Sequence, residues 1–156
     1  MGSTISWILL GLLAALLVVA AAIDLKSRTI PNGLNLAVAL LAVPFWWSTD
    51  LAVWPDAALQ IGVAALVFGL FALAFALGGM GGGDVKLLGA LALWLPWQAV
   101  LAMLVIMSLA GGVLTLAMVI RQRLARKDGR PEIPYGVAIA FAGLWLIGQR
   151  FLYQFG

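Results

Sequence analysis

Apolar residues in this chain run in long, nearly unbroken blocks, without the period-two alternation of a half-buried strand or the single apolar stripe of a water-facing helix. Six blocks stand out, at 5–23, 34–47, 57–77, 85–96, 99–120 and 133–152. The first, third, fifth and sixth approach the ~20 residues a helix needs to cross a bilayer core. The second and fourth are short. The fourth is the weakest span and suits a tilted, partly buried or re-entrant helix. No repeat, low-complexity tract or linker divides the blocks. The pattern predicts an all-α polytopic membrane protein of about six transmembrane helices, folded as one domain over 1–156.

Composition agrees with this picture and narrows the chemistry. Of 156 residues, 65% are hydrophobic and 10% charged, against ~25% charged in a soluble domain. The chain has no His and no Cys. That removes the usual zinc, haem and iron–sulfur ligands, disulfides, and any Cys or His nucleophile system. No metal or cofactor is expected, and any catalysis falls to Asp, Glu, Lys, Ser, Thr, Tyr or backbone. The net charge of +3 is modest. One short basic loop in an apolar chain is no nucleic-acid signature.

Charge placement predicts orientation. Lys26, Arg28, Lys86, Arg121, Arg123, Arg126, Lys127 and Arg130 follow odd-numbered spans and make up eight of the nine basic residues. By the positive-inside rule those loops are cytoplasmic and both termini lie outside. Trp46, Trp47 and Trp54, with Trp94 and Trp97, flank the outer loops as an interfacial belt would. Ala20-Ala21-Ala22 mimics a signal-peptide cleavage site. The stretch before the first block has no Lys or Arg, however, and the block is long for a signal peptide, so it reads as a retained helix.

Two acids end apolar blocks, Asp24 the first and Asp84 the third. Ionisable residues at such places are costly and are functional candidates by default. Two crossings separate them, so they fall on the same, cytoplasmic, side. Asp84 also suits an N-cap ahead of Val85, but a cap does not need the surrounding Gly78, Gly79, Gly81, Gly82 and Gly83. A glycine run would let an extended peptide backbone come close. Two carboxyls in contact cannot both ionise easily, so one keeps its proton and the pair can activate water against a peptide carbonyl. From the helix ends alone, Asp24 at a C-terminus is expected to be the acid and Asp84 at an N-terminus the base. Asp50, Asp56, Asp128 and Glu132 read as solvated. Lys86 is expected to face away from Asp84 and snorkel. Pro31-Asn32 opens the second span, with Asn32 as its cap. Pro134-Tyr135-Gly136 is either a bent helix start or a wall of the substrate cleft.

Asp24-Leu-Lys-Ser-Arg28-Thr-Ile-Pro31-Asn32 resembles the first motif of the type IV prepilin peptidases, an Asp followed by an Arg and an Ile-Pro-Asn. Gly81-Gly82-Gly83-Asp84-Val85-Lys86 resembles their Gly-x-Gly-Asp motif with its trailing Val-Lys. Pro134 to Ala140 resembles a late motif of short members, including those serving Flp/Tad pili. The resemblance covers nearly the whole chain. It implies an intramembrane aspartyl protease with Asp24 and Asp84 as the catalytic pair, and Arg28, Pro31, Asn32, Gly81, Gly83 and Lys86 as supporting motif residues. It implies a prepilin or pseudopilin substrate cut after a Gly at the cytoplasmic face of the inner membrane, with pilus or secretion machinery as a partner. Longer members carry an N-terminal cytoplasmic segment, often with paired cysteines, and also methylate the new N-terminus. This chain begins with a span and has no Cys, which puts N-methylation in doubt.

Two rival readings have distinct signatures. A small proton- or ion-translocating bundle would place its acids near the bilayer midplane, whereas these lie at span ends. A non-catalytic secretion-system subunit would tolerate Asn at both acids. The loop 121–130 carries enough positive charge to attract anionic lipid headgroups.

Overall fold

The computed structural model describes residues 2–126, 128–129 and 131–155, and all of its regular secondary structure is helical. Lys127 and Arg130, counted above among the cytoplasmic charges, lie outside the described residues. Among the described residues six helices follow one another: α1 (Gly2–Ser27), α2 (Asn32–Ser48), α3 (Ala58–Ala76), α4 (Gly82–Ala92), α5 (Trp97–Leu124) and α6 (Tyr135–Phe155). A single wide turn, Val53–Ala57, leads into α3.

Among the described residues, four segments are long and apolar enough to cross a membrane: Thr4–Ser27, Val53–Ala76, Trp97–Leu124 and Tyr135–Tyr153. They correspond to the first, third, fifth and sixth apolar blocks. Helix α2 has 17 residues and α4 has 11. At 1.5 Å per residue these reach roughly 25 Å and 16 Å, short of a ~30 Å hydrocarbon core.

The shortest helix is the one enclosed. Helix α4 packs against α2, α3 and α6, and Leu87, Leu88, Leu91 and Ala92 on it are fully buried. Helix α1 packs on α2 and α6, and α5 lies on the other side of α6. The sequence dictates this inner place through the small and aliphatic residues that fill every face of α4 beyond Lys86. Its far end is tied down by two indoles. Trp94 Nε1 donates to Val38 O at 2.9 Å and Trp46 Nε1 to Leu93 O at 2.8 Å. Trp94 is therefore a core residue, stacked on Phe45 with 4.9 Å between ring centroids. It does not belong to an interfacial belt. Trp47, Trp54 and Trp97 are exposed as belt residues would be. Apolar pattern alone could not separate the two roles, because a buried indole and an interfacial one differ only in where the N–H finds its acceptor.

Helix ends shape the site. Helix α1 runs past its apolar block to Ser27, so Asp24 sits in its last turn, not beyond it. Arg28 follows with φ 55°, and its N–H bonds to Asp24 O at 3.0 Å. Helix α3 stops at a Schellman arrangement: Gly78, at φ 75°, donates to Phe75 O and Gly79 donates to Ala74 O.

Candidate active site

Asp24 and Asp84 come from helices distant in sequence, yet both line one cavity of about 590 Å³. Asp24 is 3% exposed and Asp84 7%. The walls are the α1–α2 turn (Ser27, Arg28, Thr29), the glycine segment (Gly78 to Gly81) and the approach to α6 (Pro131 to Ile133, then Tyr135).

Asp84 is not the cap of α4. The helix begins at Gly82 with Gly81 in the extended N-cap position, so Asp84 is the third helical residue. From there its carboxyl reaches back to the Gly81 N–H, as the acid of a capping box does. It stands at the start of α4, outside the four long spans. Burial, and after it the nearby Asp24 charge, push its carboxyl up from an ordinary 3.8 to about 7, against the opposing pull of the Gly81 and Gly136 N–H groups.

Asp24 has a neighbour that chain order alone did not show. The N-terminus of α6 is aimed at it. Val137 N donates to Asp24 Oδ2 at 3.3 Å, and the Gly136 N–H also faces the carboxyl. The Arg28 guanidinium is close as well. The Gly136 N–H thus stands against both acids, since it also serves Asp84. Each carboxyl consequently lies at a helix N-terminus, Asp84 at that of α4 and Asp24 at that of α6. The asymmetry expected from α1 and α4 alone is lost.

Close approach explains two glycines. A Cβ on Gly136 would lie 2.9 Å from Asp24 Oδ2 and 2.7 Å from Ile30 Cδ1. A Cβ on Gly83 would lie 3.2 Å from the backbone N and O of Ile30. Only hydrogen at these positions lets α6 and α4 close on the α1–α2 turn. Pro134 is fully buried and Tyr135 lines the cavity, so the segment is both the start of α6 and part of the cleft wall.

The remaining motif residues are brought to the same end of the bundle. Asn32 is the first residue of α2, with Pro31 in the cap position, and its Oδ1 accepts from Lys86 Nζ at 2.8 Å. Lys86 therefore points away from the acids, and ties α4 to α2. A residue not singled out from sequence does similar service: Asn35 Nδ2 donates to Gly83 O at 3.1 Å and Asn35 is buried. An amide inside the apolar block 34–47 was the available signal. Arg28 Nη1 is buried without a hydrogen-bond partner beside the cavity. Asp50, Asp56 and Asp128 are exposed, as is Glu132, but Glu132 also lines the cavity rim. Asp50 and Asp56 lie in the loop joining α2 to α3, away from the pair.

Fold and site together define an all-helical, multi-pass membrane protein that holds two buried acids in one open cavity. The comparisons sharpen this class. A profile of the type IV leader peptidase family matches residues 11–116. The prepilin leader peptidase/N-methyltransferase of Pectobacterium carotovorum subsp. carotovorum is 32% identical over 138 residues, 86% of this chain and 48% of that protein. Its namesake in Burkholderia pseudomallei (strain 1026b) is 32% identical over 143 residues, 85% and 43% respectively. That of Aeromonas salmonicida (strain A449) is 32% identical over 139 residues, 86% and 46%. The chain spans less than half the length of these relatives, and no solved structure matches it. The chain belongs to the type IV leader peptidase family.

Proposed function

We propose that this chain is an aspartyl endopeptidase that removes the leader peptide of type IV, Flp-like prepilins or pseudopilins. The observation that carries the reading is two buried carboxyls, from helices distant in sequence, lining one open cavity. An ion-relay bundle has no need of such a cavity. The matched relatives, named as prepilin leader peptidases, support the substrate class.

The acid–base roles are best assigned opposite to those expected from helix ends. Asp24, buried but accepting the Val137 N–H beside the Arg28 guanidinium, is assigned as the starting carboxylate, and Asp84 as its protonated partner. Asp24 takes a proton from water as the water oxygen bonds to the scissile carbonyl carbon. Asp84 gives its proton to the carbonyl oxygen, leaving a neutral gem-diol. One diol hydroxyl then returns a proton to Asp84 as Asp24 protonates the leaving nitrogen. The C–N bond breaks to a carboxylic acid and an amine, and the pair is back in its starting state. Neither metal nor covalent nucleophile takes part.

Six crossings with both termini outside and the cavity at the cytoplasmic face of the inner membrane fit the basic loops. In this arrangement α2 and α4 reach the full bilayer depth only with the loops that follow them. The whole chain acts as a single domain. Arg28 Nη1, buried and unpaired, is suited to hold a substrate carbonyl. Peptide cleavage is the reaction proposed here.

The test is cleavage of a co-expressed prepilin panel by wild type, Asp24→Asn and Asp84→Asn, each checked for membrane insertion, with mass spectrometry of the mature N-termini. Wild type should cleave and both variants should fall by a factor of about 10³ or more. Full processing by either variant would overturn the carboxylate pair.

A further inference from the structure

Away from the acids, a second cavity of about 380 Å³ opens between α3 and α5. Phe71 and Ala74 form one wall; Ser108, Gly111, Gly112 and Thr115 form the other. Helices α3 and α5 themselves barely touch. The groove is continuous with the catalytic cavity, because Gly79, Met80 and Tyr135 line both.

We infer that this groove seats the apolar helix that follows the scissile bond of the substrate, and that the helix reaches it sideways from the lipid. The inference rests on the peptidase reading above and adds where the substrate's membrane segment lies. Three features fit a helix in particular. Ser108, Gly111, Gly112 and Thr115 recur at helical spacing and bring bare backbone to one face of α5, which favours close helix–helix contact in lipid. A Cβ on Gly112 would meet nothing within 4 Å, and one on Gly111 would only touch Tyr135 and Ala138 at 3.7–3.8 Å, so this face is unfilled. The two hydroxyls are already satisfied within α5, Ser108 to Leu104 O and Thr115 to Gly111 O, each at 2.7 Å. The groove therefore asks for an apolar surface rather than a polar partner. A helix lying here would lead, past Gly79 and Tyr135, directly to the acids. Its first turn, next to the scissile bond, must unwind there to present an extended backbone.

Absence of cysteine makes the test clean. Single cysteines are placed at Gly112 and, as a control, at Val113, which is 69% exposed and faces away from the groove. Each is combined with Asp84→Asn to hold substrate uncut, and oxidised with prepilins carrying one cysteine along the apolar helix. Gly112→Cys should crosslink to the prepilin at least about tenfold more than Val113→Cys. In parallel, Gly112→Trp without the Asp84 change should lower prepilin kcat/KM about tenfold through KM, with Val113→Trp unchanged. Equal crosslinking at both positions, crosslinks only between two copies of the enzyme, or unchanged cleavage by Gly112→Trp would each overturn the groove. The last would leave the groove to a lipid chain. Wild type that cuts no prepilin would instead overturn the peptidase reading, and the occupant with it.

Discussion

At the scale of single residues, the site is a matter of which group can hold a charge. Asp84 is raised to about 7 by burial first and by Asp24 second. The cleaving state needs one proton on the pair, so activity should decline as pH rises through about 7 and Asp84 empties. A rate that keeps climbing to pH 9 would contradict the roles assigned. The same shift has a stability sign. The folded chain binds this proton more tightly than the unfolded chain, whose carboxyl has the ordinary value of 3.8. The stability due to the protonated form is whole below that value and is lost as pH climbs towards about 7. Asp84→Asn removes the buried charge and keeps an acceptor for the Gly81 N–H. It should therefore melt higher than wild type at pH 8, with the gap closing by pH 4, while cutting nothing. Arg28 offers a second separation of function from stability. It holds φ 55°, a conformation that costs a non-glycine residue about 1 kcal/mol. Arg28→Gly should leave thermal stability equal or higher and still lower cleavage, whereas Arg28→Lys should restore part of the rate. Loss of both fold and activity in Arg28→Gly would make the residue structural.

At the scale of elements, the acids are where they are because three helix ends meet: the C-terminus of α1 and the N-termini of α4 and α6. The sequence showed the first two, since an acid interrupts the apolar pattern at each. The third was visible only as an odd Pro-Tyr-Gly start, because nothing in a linear pattern says that Gly136 faces Asp24 across the bundle. The tightness of that meeting gives a sharp expectation. Gly136→Ala places a methyl 2.9 Å from Asp24 Oδ2, and displacing a reacting group by a fraction of an ångström to one ångström costs about 100-fold in rate. Cleavage should fall by at least that much with the helical circular dichroism intact. Boundaries were legible only to within a turn. The apolar block ends before α1 does, with Asp24 in the last turn of the helix whose end it was expected to mark, and the cap that Asp84 suited is a glycine to which the acid reaches back. Asn35 was hidden inside an apolar block. Its bond to Gly83 O fixes the start of α4, and Asn35→Ala should cost about 1–2 kcal/mol of stability, read as a lower melting temperature in detergent.

At the scale of the whole molecule, the all-helical architecture and the order of the helices were written in the apolar blocks, and so was the weakness of the fourth. What the blocks could not express is that a span too short for the bilayer becomes the centre of the bundle. Helix α4 is enclosed by longer helices, so its backbone and side chains answer to protein rather than to lipid. That arrangement recesses the acids at one end of a short inner helix while the longer helices carry the aromatic and basic anchors. The orientation proposed for the bundle rests on charge alone, and it can be read independently. In a chain without cysteine, Ser27→Cys beside the cavity, Asp128→Cys in the α5–α6 loop and Asp50→Cys in the α2–α3 loop each report one side. In right-side-out vesicles a membrane-impermeant maleimide should label Asp50→Cys and leave Ser27→Cys and Asp128→Cys unlabelled until the membrane is opened. Inverted vesicles should give the opposite result. Labelling of Ser27→Cys and Asp50→Cys from the same side would mean that α2 turns back within the bilayer, and labelling of Ser27→Cys in right-side-out vesicles would mean that the cavity opens away from the cytoplasm. Labelling of Ser27→Cys and Asp128→Cys from opposite sides would break the three-loop rule on which the orientation stands.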